Sequence, residues 1–107
     1  MYICNITFLT DARALSKTLD YLRGTFIPAI SADGTQPILA IVREMQGQPV
    51  REFDPLSITV QAKFSDRDAA KKWESETAEP ALKAYTILFG QNALTFSTLI
   101  EQLPLID

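Results

Sequence analysis

Apolar and polar side chains alternate from Met1 to Leu9, with Tyr2, Cys4, Ile6 and Phe8 on one side and Ile3, Asn5, Thr7 and Leu9 on the other. That is the period of a strand, and it predicts β1. The period then changes. Ala12, Leu15, Leu19, Leu22 and Phe26 recur at helical spacing, opposite Arg13, Lys17, Asp20 and Arg23, so a helix with one apolar face follows. Thr10 is placed to cap it, Asp11 suits its positive end, and Gly24 with Pro28 predicts that it stops between Gly24 and Ile30. Asp33 and Gly34 supply a turn, and the apolar, β-branched run Ile38 to Met45 predicts β2.

Gln46 to Pro55 holds Gly47, Pro49 and Pro55 among charged residues and reads as a long hairpin loop. The clearest alternation follows, with Leu56, Ile58, Val60, Ala62 and Phe64 inward and Ser57, Thr59, Gln61 and Lys63 outward, predicting β3. Ser65 and Asp68 have the spacing of a capping box, and Ala69, Trp73, Ala84 and Ile87 share one face of a second helix. Pro80 removes a backbone donor within that helix, which predicts a kink or break with a further segment running to Phe89 and stopped by Gly90. Ala93 to Glu101 predicts β4, and Gln102 to Asp107 forms a short tail.

The order strand, helix, strand, strand, helix, strand, closed by right-handed crossovers, gives an α+β, ferredoxin-like βαββαβ domain over residues 1–107. Its four-stranded antiparallel sheet has both helices on one face. The other face is then bare. It is expected to carry Asn5, Thr7, Ser57, Thr59, Gln61 and Lys63, with Thr95 and Ser97, mixed with Ile3, Leu9 and Leu99. Such a face is compatible with solvent. It is equally compatible with a two-fold homodimer packed face to face around a barrel-like cavity that a small molecule can occupy. The candidate ligand contacts on this face are Asn5, Thr7, Thr59, Gln61 and Ser97.

The chain is 47% hydrophobic and 21% charged over 107 residues, enough for one ordinary core. A net charge of −3 argues against an electrostatic grip on nucleic acid or an anionic membrane. No run approaches the length of a membrane span, and no secretory signal opens the chain, so a cytoplasmic protein is expected. Cys4 has no internal partner and lies in an apolar strand, where a thiol behaves as a small hydrophobe.

The opening strand Tyr2 to Phe8, Phe26-Ile27-Pro28 with Gly34 six residues on, Leu88-Phe89-Gly90, and Phe96-Ser97-Thr98-Leu99-Ile100-Glu101 carry a family likeness. Through them nearly the whole chain resembles a bacterial family known as domain of unknown function 4286, which implies a fold of the dimeric α/β-barrel type. In that family a histidine commonly precedes the Ile-Pro pair and an arginine commonly follows the strand phenylalanine. The matching positions here are Phe26 and Ser97, so the resemblance implies the fold and no particular activity.

With no histidine and one cysteine, the commonest general base and the usual transition-metal ligands are missing. No metal or cofactor is expected. Nothing resembles a nucleophile elbow, and the scattered glycines form no phosphate-binding loop. Glu74, Glu76 and Glu79 with Lys71, Lys72 and Lys83 read as a solvated helix face, and Trp73 and Tyr85 as core. The strand order also occurs in RNA-binding modules that stack bases on aromatics, but the outward residues of β3 include no aromatic. The expected function is a homodimeric ligand-binding or interaction module. The alternative is a cofactor-free oxygenase or isomerase of the dimeric barrel type, with only uncharged groups and Lys63 to work with.

Overall fold

A computed structural model describes residues 1–43, 45, 47, 51–90 and 93–106. β1 (Tyr2–Asp11), β2 (Ile38–Ile41), β3 (Pro55–Phe64) and β4 (Leu94–Glu101) form one sheet in the order β2-β3-β1-β4. Each neighbouring pair is antiparallel, and both crossover helices pack on the same side, the ferredoxin-like arrangement that the alternating strands and intervening helical periods predict. β2 is shorter than the run Ile38 to Met45. Its ladder with β3 runs from the Ile38–Gln61 pair to the Ile41–Ile58 pair, and Val42 still donates to the Ser57 carbonyl at 2.9 Å. The expected loop from Gln46 to Pro55 lies partly outside the described residues; within it Arg51 and Asp54 are joined by an ion pair at 3.1 Å.

Neither helix is capped by the expected residue: the first begins at Leu15 with Ala14 at its N-cap position, and the second begins at Arg67. Asp11, rather than Thr10, accepts the Ala14 N–H at 3.0 Å, while the Thr10 hydroxyl lies 3.4 Å from that of Thr18. In the second helix Asp66, not Ser65, is the N-cap and accepts the Asp68 N–H at 2.9 Å.

Each helix contains the same device. The first runs Leu15–Tyr21, widens into a π turn over Leu22–Phe26, and resumes as Ile27–Ile30 with Pro28 at its second position. The second runs Arg67–Trp73, widens over Glu74–Ala78, and resumes as Glu79–Phe89 with Pro80 at its second position. A proline cannot bond the carbonyl one turn back, so the preceding turn opens. The Ile27 N–H reaches back five residues to Leu22, and the Glu79 N–H likewise reaches Glu74.

The wide turns decide which faces are buried. In the second helix the buried positions are Ala70, Trp73, Ala78 and Tyr85, and the five-residue step from Trp73 to Ala78 inserts one residue into the helical period. The expected face therefore slips by one position beyond the turn. Ala84 is exposed and Ile87 is 84% exposed; Ala69, which precedes the turn, is also exposed, and Ala70 takes the buried place beside Trp73. In the first helix Thr18, Leu22, Phe26 and Ile30 are buried, Leu15 and Leu19 only partly, and Ala12 is exposed. Every fourth residue drifts by about 40° per step on a regular helix, and the wide turn takes up part of that drift.

Against these faces the sheet presents Cys4, Ile6, Phe8, Leu56, Ile58, Val60 and Ala62, all buried. The Phe8 ring stands edge-on to Phe26 and to Tyr85, with centroids 5.1 Å away in each case. Trp73 donates from Nε1 to the Ile30 carbonyl at 3.4 Å, joining the second helix to the end of the first.

Two substitutions test this account by urea unfolding. Phe8→Ala is expected to remove about 3–5 kcal/mol, the usual range for a buried phenylalanine; a loss below about 1 kcal/mol would show that the two aromatic contacts are dispensable. Gly90 closes the second helix at φ +67°, with open space where a Cβ would stand. Gly90→Ala is therefore expected to cost about 1–3 kcal/mol through the backbone alone.

Candidate functional site: the open face of the sheet

Residues paired across an antiparallel ladder share a face, so the register assigns the open side row by row. One row is Lys63, Ile3 and Ile100; the next is Ile38, Gln61, Asn5 and Thr98; then Ala40, Thr59, Thr7 and Phe96; then Ser57, Leu9 and Leu94. Asn5, Thr7, Thr59 and Gln61 thus stand together at the centre of the face, as the alternation of β1 and β3 predicts.

Ser97 does not join them. It pairs with the buried Ile6 and so points to the helix side, as do Thr95 and Leu99. Phe96 and Thr98 occupy the open face in their place. The alternation of β4 points the wrong way in sequence, because its more apolar side, Leu94, Phe96 and Ile100 with Thr98, faces outward, and its more polar side, Thr95, Ser97 and Glu101 with Leu99, faces the helices. The helices leave this edge strand largely uncovered, so no strongly apolar side marks the core.

The central side chains are tied to one another. Gln61 Nε2 donates to Asn5 Oδ1 at 2.9 Å, and Asn5 Nδ2 donates to the hydroxyls of Thr7 at 3.2 Å and Thr98 at 3.4 Å. The Asn5 amide is thereby held in one orientation, with both Nδ2 donors used and one lone pair of Oδ1 still open. The Thr59 hydroxyl and Gln61 Oε1 have no side-chain partner among the described residues. Around this polar centre lies an apolar rim, with Leu94 58% and Phe96 51% exposed and Ile38, Val42 and Ile100 also open to solvent. Beside β2 the face runs into an open recess of about 480 Å3 lined by Asp33, Thr35, Gln36, Ile38, Gln61 and Lys63. Hydrogen bonds from Thr35 hold the Asp33 carboxyl below its ordinary pKa.

On the opposite side, a recess of about 270 Å3 between the second helix and β4 includes Cys4, Lys71, Glu74 and Ser97 in its lining. Cys4 donates to the Ala70 carbonyl at 3.3 Å. Burial, followed by the nearby Glu74 carboxylate, pushes its thiol pKa up, the reverse of what activates a cysteine. The described residues hold no cluster of three or more potential metal ligands, and none of their helices is long and apolar enough to cross a membrane.

The sheet order and the side taken by the helices define a ferredoxin-like α+β protein whose open face is polar at the centre and apolar at the rim. A family model described as a domain of unknown function (DUF4286) matches residues 1–103, and the chain belongs to that family. No curated protein matches it. Among solved structures it is similar to an ethyl tert-butyl ether D (EthD) family protein from Bacillus halodurans, at 11% identity and a TM-score of 0.61. That likeness covers 96% of this chain and 100% of the other. It is also similar to a de novo designed protein, Foldit4, at 7% identity and a TM-score of 0.60, covering 95% of this chain and 98% of that one. At such identities the likeness shows the fold alone.

The folded thiol of Cys4 holds its proton more tightly than the unfolded thiol, whose ordinary pKa is 9.0. Its contribution to stability is therefore complete below that value and declines as the pH rises above it. In a disulfide-exchange assay at pH 8, native Cys4 is expected to react at least roughly tenfold more slowly than in urea; equal rates would mean that the helix-side recess opens freely.

Proposed function

We propose that the protein is a homodimer joined through the open face of its sheet, acting as a single domain over residues 1–107 that binds a small molecule or serves as an interaction module. The observation that carries this is the composition of the face, an apolar rim around a fixed polar centre. The rim, with Phe96, Leu94, Ile100 and Ile38 open to water, favours burial against a self-complementary surface. The centre then becomes the wall of a cavity between the two sheets, where Asn5, Thr7, Thr59 and Gln61, with Thr98 in the place expected of Ser97, meet the ligand. Within the four rows from Ile3 to Leu9 the only ionisable side chain is Lys63, at one end of the face. That favours a site that binds over one that catalyses by proton transfer. A cytoplasmic setting suits the buried, unpaired thiol.

Light scattering on the purified protein tests the dimer. A mass near twice 11.9 kDa is expected at micromolar concentration. Phe96→Asp is expected to give a monomer with unchanged far-UV circular dichroism, because it places two carboxylates in the interface. A wild-type protein that stays monomeric would overturn the proposal, and a dimer indifferent to Phe96→Asp would move the interface elsewhere.

A further inference from the structure

The chain does not stop where its sheet stops. Beyond β4 the Gln102 N–H still donates to the Met1 carbonyl at 2.9 Å, extending the ladder by one residue. Pro104 then has no N–H with which to continue. Leu103 is 69% exposed, and Leu105 and Ile106 are almost wholly so, and no charge falls from Gln102 to Ile106. Three large aliphatic side chains therefore stand in water just past the row of Ile3 and Ile100.

The segment cannot readily turn back onto its own sheet. Residues 102–106 contain no Gly, Asn or Asp to make a tight reversal, and extended chain of this length reaches about 14 Å past the last ladder bond. Its start adjoins the face that the dimer proposal buries. In plan the strands of that face span about 500 Å2 at standard spacings, so chain reaching past its edge adds to the area that two copies can bury.

From this placement we infer that residues 103–106 are an arm that docks on a second copy of the chain, each protomer laying Leu103, Leu105 and Ile106 against the apolar rim of the other. The inference rests on the face-to-face dimer and adds to it a reciprocal clasp at both ends of the interface. The overhang thereby gains the apolar cover that its own chain does not give it.

Sedimentation equilibrium on the full chain, on a chain ending at Gln102, and on Phe96→Asp separates the two proposals. The expected result is a dimer for the full chain, a dissociation constant at least roughly tenfold higher for the truncated chain, and a monomer for Phe96→Asp. Leu105→Asp in the full chain is expected to weaken association in the same direction, which guards against an unrelated effect of truncation. Far-UV circular dichroism and the urea midpoint, taken at a concentration where all forms are monomeric, should be unchanged. A truncated chain that dimerises as tightly as the full one would overturn the arm and leave the sheet-face dimer standing. A full chain that never dimerises would overturn both.

Discussion

The Phe8 ring is the point on which both halves of the structure converge. It projects inward from β1, one of the two central strands, and its edge-on contacts reach Phe26 on the first helix and Tyr85 on the second. Tyr85 in turn stacks on Phe89 at 4.5 Å, and Tyr21 approaches both rings at 5.7 and 5.4 Å. Aromatic pairs of this kind add orientation to area burial, so one side chain fixes the position of two helices relative to the strands. Every other inward residue then has a defined neighbour. The outward residues are defined by exclusion, since a one-residue slip would exchange the two faces completely.

That coupling explains why the open face has its character. Asn5 and Thr7 flank Ile6, and Thr59 and Gln61 flank Val60, so the polar centre is the reverse side of the deepest part of the core. Its placement needs no design of its own beyond the choice of residue type. The hydrogen bonds among Gln61, Asn5, Thr7 and Thr98 run across three strands, giving the face a fixed pattern of polar atoms on a rigid support.

Much of this was legible in the sequence where a period was clean. β1 and β3 alternate without interruption, and their four central polar residues fall where the pattern says. In β4 the same pattern points the wrong way, because on this edge strand, which the helices leave largely uncovered, the more apolar side faces outward and Ser97 faces the helices. The helices failed differently. Pro28 and Pro80 are visible as disturbances, but a residue count cannot show whether a helix answers a proline by bending, breaking or widening. The expectation of Ala84 and Ile87 in the core follows from an uninterrupted helix; the wide turn sets both outward, while Tyr85, expected in the core, is buried there.

The wide turns also act as phase shifters between a helix and the sheet beneath it. Were the turn over Glu74–Ala78 to close into ordinary helix with no residue lost, everything beyond it would rotate by about 100°, withdrawing Tyr85 from Phe8 and carrying Ala84 and Ile87 inward. A one-residue gap placed there in a comparison of related chains removes the residue that the wide turn takes up, and the helix closes without that rotation. The final helical segment then keeps its inner face, and a relative carrying such a gap keeps the same core with its aromatic aligned with Tyr85.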